Sequence, residues 1–328
     1  MDVRHLELLR ELADRGSVTA VARATHRTPS AVSQQLRTAQ RELRTPLVEP
    51  SGRGLRLTDA GRLLAEGGAG VAAALAQVQA RWDEFQGEPS GTVTVAALAS
   101  AATFLLPRAM ADLEGTAITL RCADVDIAEA EYGPLTADHD VVVAHSLTSV
   151  RPAGAEGLTV VPLAREPLDI AMAAGHPLAR LPRVRPADLV DLDWIGVPLG
   201  YPFDSVRLAV EQATSAELRV VQRLRDNRLI EALVAAGDQV AVLPRFTTPT
   251  GERLVLRELA DVASARHVSA VLRPDRAERL AVRRVVEAFR RAGADVAAAM
   301  TSGTAGERRL TSRARVPPPG FEPGLGRV

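Results

Sequence analysis

Residues 27–37 read RTPSAVSQQLR, with three hydroxyl side chains, two adjacent glutamines and an arginine at each end, against apolar side chains only at Ala31, Val32 and Leu36. Thr28 can cap a helix, and Pro29 suits its first position, where the missing N–H has no partner to lose. Continued to Leu43, the helix sets Val32, Leu36, Ala39 and Leu43 at spacings of 4, 3 and 4, a single buried stripe. Ser30, Ser33, Gln34, Arg37 and Arg41 then form a second, polar stripe. A helix held on one side and polar on the other needs a polar partner.

Upstream, Leu6, Leu9 and Leu12 lie near helical spacing between Asp2 and Arg15, and Gly16 is a stop signal. Ser17 offers the cap of a second helix, to about Thr25, whose Val18, Val21 and Ala22 point inward. Two short helices joined by a tight turn, the second polar on its outer face, is the pattern of a helix-turn-helix reader of the major groove. Downstream, PSGRGLRLT (50–58) sets Arg53 between glycines ahead of the alternating Leu55, Arg56 and Leu57, a small β wing. Thr58 and Asp59 open a long helix to about Gln86. In it Leu64, Val71, Leu75, Val78, Trp82 and Phe85 are separated by 7, 4, 3, 4 and 3 residues, a near-heptad seam that favours pairing between two chains. Gly67, Gly68 and Gly70 interrupt it, each costing about 1 kcal/mol relative to Ala, so the helix is expected to lean on a partner.

The 328 residues are too many for one ordinary domain. GEPSG (87–91) is a linker by composition, and beyond it strand-like runs at 92–97, 118–122, 141–144, 168–173 and 240–243 alternate with helical segments, which argues for parallel sheets covered by helices. All 40 basic residues are Arg, balanced by 40 acidic ones, yet residues 1–58 hold 10 Arg against 6 Asp or Glu, a basic head that suits a polyanion. One cysteine, Cys122, excludes an internal disulfide, and the six histidines form no close ligand pair, so no metal and no cofactor are expected. No apolar run reaches about 18 residues and MDVRHLELLR is too charged for a signal peptide, which implies a cytoplasmic protein without a membrane partner. No nucleophile elbow, phosphate loop or zinc signature supports an enzyme.

HLELLRELADRGSVTAVARA (5–24), TPSAVSQQLRTAQREL (28–43) and GRGLRLTDAGRLL (52–64), in that order and spacing, resemble the LysR-type transcriptional regulators. FLLPRAMADLE (104–114), PLDIAMAAGHPLA (167–179) and LIEALVAAGDQVAVLPR (229–245) are similar to that family's effector domain, so the resemblance covers about residues 1–295. It implies an α/β protein with an N-terminal winged helix-turn-helix (1–58), a dimerising linker helix and hinge (59–91) and a periplasmic-binding-protein-like effector domain (92–300). That domain divides into two α/β subdomains, 92–163 with 267–300 and 164–266. Residues 301–328 have the composition of a disordered tail. The chain departs from the family at Ala39, expected to loosen the packing beneath the recognition helix, at Gln40, and at Val48 and Pro50, where a basic phosphate contact is lost.

The resemblance places Pro29, Ser30, Ser33 and Gln34 at base edges, with Thr28 beside them at the helix start. Gln can bond adenine in a bidentate manner and Ser can bond several bases. Arg37 and Arg41 meet phosphates, Arg56 remains as a wing contact, and Arg53 is expected to enter the adjacent minor groove. For a small-molecule effector the resemblance names Ser100 and Thr103 at a helix start, Asp124 and Val125 at a strand end, and Tyr201, Pro202 and Phe203 before another helix. Asp124 and Asp126 would suit an effector bearing an amino group. Peroxide sensors of the family resemble two-thiol switches, and a second thiol is missing here. The expected partners are double-stranded operator DNA with dyad symmetry, a homodimer or homotetramer of the chain itself, and RNA polymerase.

Overall fold

The computed structural model describes residues 2–52, 54–125 and 127–313; Arg53, Asp126 and residues 314–328, each part of an expectation above, lie outside the described residues. Three helices, α1 (Val3–Arg15), α2 (Val18–Ala24) and α3 (Pro29–Leu43), are followed by an antiparallel hairpin of β1 (Val48–Ser51) and β2 (Gly54–Leu57). Their core gathers Leu9, Leu12, Val21, Val32, Leu36, Ala39, Leu47 and Leu57. The caps are those the residues suggest: Asp2, Ser17 and Thr28 each accept a first-turn N–H, and Gly16 ends α1 at φ 69°. Ala39 is fully buried in that core, and Gln40 Oε1 accepts the Leu47 N–H at 2.9 Å, fastening α3 to the start of the hairpin.

A 28-residue helix, α4 (Asp59–Gln86), follows. Its buried face carries Ala65, Gly68 and Ala80, while Val71, Leu75, Val78, Trp82 and Phe85 are exposed, Phe85 by 81%. From Val71 onward the seam read from the sequence is thus an uncovered apolar stripe, whereas Leu64 at its start packs on the core of the head. Gly68 is not a weakness in it: a Cβ there would lie 2.8 Å from the Leu6 carbonyl oxygen, so the missing side chain lets α1 and α4 touch. Gly67 has open space around its Cβ direction. Gly67→Ala is therefore expected to stabilise the protein by about 1 kcal/mol through helix propensity, whereas Gly68→Ala loses about 1–3 kcal/mol by prising two backbones apart. Urea denaturation of the two variants checks the opposite signs.

The remaining chain forms one mixed sheet with two halves. The first half contains β3 (Ser90–Leu98), α5 (Ala99–Asp112), β4 (Ala117–Val125), α6 (Tyr132–Leu135) and β5 (Val141–Ser146). The 15-residue strand β6 (Thr159–Ala173) then runs out of it. The second half contains β7 (Arg183–Val184), β8 (Asp193–Gly196), α7 (Asp204–Thr214), β9 (Arg219–Arg223), α8 (Asn227–Val234), β10 (Val240–Pro244) and β11 (Leu254–Leu259). The chain returns through β12 (Ala265–Leu272) to α9 (Pro274–Ala277) and α10 (Leu280–Arg313). Helix α10 continues through residues 301–313, part of the stretch expected to be disordered; Gly303 and Gly306 weaken a helix without stopping it, and the first proline beyond them is Pro317.

The strand order is β4-β3-β5-β12-β6-β10-β8-β9. Strands β4, β3 and β5 are parallel, as are β10, β8 and β9, in keeping with strand–helix alternation. The expectation of parallel sheets fails at β6 and β12, which run antiparallel to each other and to their neighbours because one leaves the first half and the other returns to it. Residues 159–167 of β6 pair with β12, and residues 168–173 pair with β10 or β11, so this strand joins the halves. Each half has its own apolar core, and a cleft opens between them.

Candidate functional site

The outer face of α3 is built by the same residues that start the helix. Thr28 Oγ1 accepts the Ala31 N–H at 3.2 Å and lies 3.0 Å from Ser30 Oγ, so Ser30 is held next to the cap. Pro29 occupies the first turn. Gln34, Arg37 and Arg41 are exposed and Ser33 is half-buried. Among the described residues neither Arg37 nor Arg41 pairs with a carboxylate, so both keep their donors for an external anion. The adjacent glutamines divide: Gln35 donates to the Arg4 carbonyl at 2.8 Å and accepts from Arg27, which leaves Gln34 as the outward amide. On the hairpin Arg56 is engaged by Glu49 at 2.8 Å, a cross-strand pair that a phosphate would have to share.

The cleft between the two halves of the sheet has a volume of about 380 Å3. Ser100, Thr103, Val125, Tyr201, Pro202 and Phe203 all line it. Asp124 does not: alternation along β4 turns Val125 inward and leaves Asp124 exposed on the other side. An amino-bearing effector therefore loses the carboxylate proposed for it at position 124. Thr103 spends its hydroxyl proton on the Ala99 carbonyl at 2.9 Å.

Residues missed in the sequence form the floor. Arg266 on β12 is fully buried, as is Glu166 on β6, and their side chains meet at 2.6–2.8 Å. Arg266 Nη1 also donates to Ser100 Oγ at 2.9 Å, so the Ser100 proton is free to point elsewhere. Above the guanidinium, 5.4 Å away, is the ring of Phe203 from the second half. Arg266 thus bonds one half and stacks against the other. His145, on β5, meets Phe203 and Tyr132 edge-on at ring distances of 6.1 and 5.9 Å. Burial, and secondarily the Arg266 charge, lower its pKa to about 3, so its imidazole is neutral and its buried Nδ1 has no partner among the described residues. At the mouth, Arg225 lies over Tyr201 at 5.1 Å, and burial pushes the Glu231 carboxyl up despite nearby Arg228.

The signal for Arg266 and Glu166 was a charge within each of two largely apolar stretches, TVVPLAREPLDIAMA (159–173) and ARHVSAVL (265–272), which spacing alone does not connect. Cys122 is exposed on β4, and partial burial and Asp124 both raise its thiol pKa, the reverse of activation. Among the described residues no group of three His, Cys, Asp or Glu is placed to hold a metal, and no helix is long and apolar enough to cross a membrane.

Residues 3–62 match the family model for the bacterial regulatory helix-turn-helix protein, lysR family, and residues 86–294 match the LysR substrate binding domain. A probable RuBisCO transcriptional regulator of Synechocystis is 24% identical over 284 residues, which is 83% of this chain and 80% of the relative. A full-length OxyR variant from Pseudomonas aeruginosa superposes with a TM-score of 0.58 at 18% identity, over 88% of this chain and 95% of that one. The structure of full-length CbnR complexed with its target DNA gives a TM-score of 0.51 at 20% identity, over 89% of this chain and 100% of that one. At these identities the two structures share the fold.

Proposed function

The chain belongs to the LysR family of bacterial regulatory proteins and is a DNA-binding transcriptional regulator, and from that premise we propose that a small molecule held in the cleft modulates its operator binding. The observation that carries this reading is convergence: Ser100 and Thr103 from the first half, Tyr201, Pro202 and Phe203 from the second, and Arg266 between them line one cavity. A ligand touching both halves favours the arrangement in which they close on it, and only such differential contact can shift a conformational equilibrium. Val125, His145, Arg225 and Glu231 add to the lining that would select it.

The division of labour follows the sequence reading, with residues 1–58 as the DNA-binding head, 59–91 as linker and 92–300 as effector unit. Thr28, Pro29, Ser30, Ser33 and Gln34 face base edges, and Arg37, Arg41 and Arg56 face phosphates; the minor-groove role of Arg53 stays a sequence-based assignment. The exposed α4 stripe favours a second copy, giving a homodimer or, by a further contact, a homotetramer. Two heads related by a dyad read half-sites about 34 Å apart. CbnR, which shares the fold, has been solved with its target DNA. A regulator of this kind works in the cytoplasm beside RNA polymerase, its remaining partner.

Two measurements test the proposal. The protein should retain DNA flanking its own gene against random duplexes at matched salt; equal retention overturns operator reading. In a small-molecule screen by thermal shift, a ligand at 100 times its Kd should raise stability by about 2.7 kcal/mol. Arg266→Gln and Phe203→Ala should abolish that shift for the same compound, and an undiminished shift in both would move the effector out of the cleft.

A further inference from the structure

The head meets the effector unit of the same chain through charges on α1, beside the linker helix α4, which packs against both α1 and α9. On α1, Asp14 lies three residues from Glu11 and four from Arg10, and Arg15 four from Glu11, so the four charges share one face. Arg273, the residue after β12, is 6% exposed and places Nη1 3.2 Å from Glu11 and 3.1 Å from Asp14. Arg10 bonds Asp275 at 3.0 Å, and Arg15 bonds Asp138 at 2.8 Å and the Ala137 carbonyl at 2.9 Å. The apolar core of the head and that of the first half of the effector unit share no residue. Open grooves of about 820 and 730 Å3 adjoin the joint, lined from both sides by Arg10 and Asp275. Arg273 Nη2 and Arg10 Nε are buried there without hydrogen-bond partners among the described residues.

A polar joint with incomplete hydrogen bonding is the kind of contact that opens and closes, in contrast to a large apolar one. Its anchor is also well placed. Strand β12 carries Arg266 on the cleft floor near one end and Arg273 just beyond the other. We propose that the Arg273 cluster is a latch that fixes the orientation of the head on the effector unit and thereby sets the half-site spacing the assembled protein accepts. The latch rests on the DNA-binding reading above and on two heads per assembly. A latched head presents α3 in one direction, so a pair of heads fits one separation; an unlatched head swivels and tolerates several.

The test uses the full-length protein and duplexes it enriches from a random-sequence pool. The spacer between the enriched half-sites is then lengthened in steps of one base pair up to half a helical turn. Wild-type affinity should fall by about tenfold or more across the series, since heads at fixed separation lose register with the groove. In Arg273→Gln, and in the head-side variant Glu11→Gln/Asp14→Asn, the fall should shrink to about threefold or less, with binding to a single half-site unchanged. The head-side variant leaves the buried end of β12 intact, so it decides the matter even where Arg273→Gln folds poorly. Paired half-sites with the wild-type spacing dependence in the variants overturn the latch alone. A wild-type protein that enriches no paired half-sites overturns the reading of DNA by two heads on which the latch rests.

Discussion

Replacing Glu166 by alanine should destabilise the effector unit by about 3–5 kcal/mol, because it leaves the fully buried Arg266 guanidinium without its counter-charge. The loss is a large share of the 5–15 kcal/mol or so by which a typical domain is stable. Removing the carboxylate also orphans the Phe246 N–H, which donates to Glu166 Oε1 at 2.8 Å. Arg266 is left with the Ser100 hydroxyl and the Phe203 ring, neither of which carries a charge. The double variant Glu166→Ala/Arg266→Met should recover most of the loss, since an apolar side chain in the same place needs no counter-charge. Urea denaturation of wild type, single and double variants forms the comparison. A single variant less than about 1 kcal/mol below wild type, or a double variant no better than the single, would show that the pair is not a dry, coupled unit.

Ser33→Ala and Gln34→Ala should each weaken binding to an enriched operator by about 10- to 100-fold, the range of one good base contact, and leave the salt dependence of binding nearly unchanged. Arg37→Ala should instead weaken operator and random DNA alike and make the slope of log K against log salt shallower by about one unit. The distinction follows from geometry. Gln34 presents an unengaged amide outward whereas its neighbour Gln35 is tied to Arg4 and Arg27, so Gln35→Ala should act through the fit of α1 to α3 and not through base choice. Arg37 is exposed and finds no carboxylate among the described residues, as expected of a side chain waiting for phosphate. Binding isotherms over a salt series separate the cases. An unchanged operator preference in both Ser33→Ala and Gln34→Ala would move base reading to the hairpin.

The second effect depends on a region the residues describe almost completely, and the first on one they barely describe. Helices α1 to α3 are specified by spacings of three and four and by Asp2, Ser17 and Thr28 at their starts, interactions that close within one turn of the chain. The α4 seam was legible for the same reason. Of the glycines inside it only Gly68 was misjudged, because its reason is Leu6, on another helix. In the effector unit, the strand-like runs and their alternation with helices were legible, but the orientation of β6 and β12 was not, since direction depends on which half of the sheet each strand enters. Asp124 shows the limit at a single residue: a strand end was correctly located, and one step of pleat separates Val125 in the cleft from Asp124 outside it.

The amino-acid sequence by itself therefore determined that this protein carries a polar recognition helix on a small capped head, a long helix with one apolar stripe, and an α/β unit behind a linker. Only the tertiary structure decided what the cleft is made of and how the head is held. Ser100 and Arg266 are 166 residues apart and Arg273 is 262 residues from Glu11. A buried charge in an apolar strand is intelligible only beside its partner, and the chain brings the partners together through sheet pairing that no local spacing encodes.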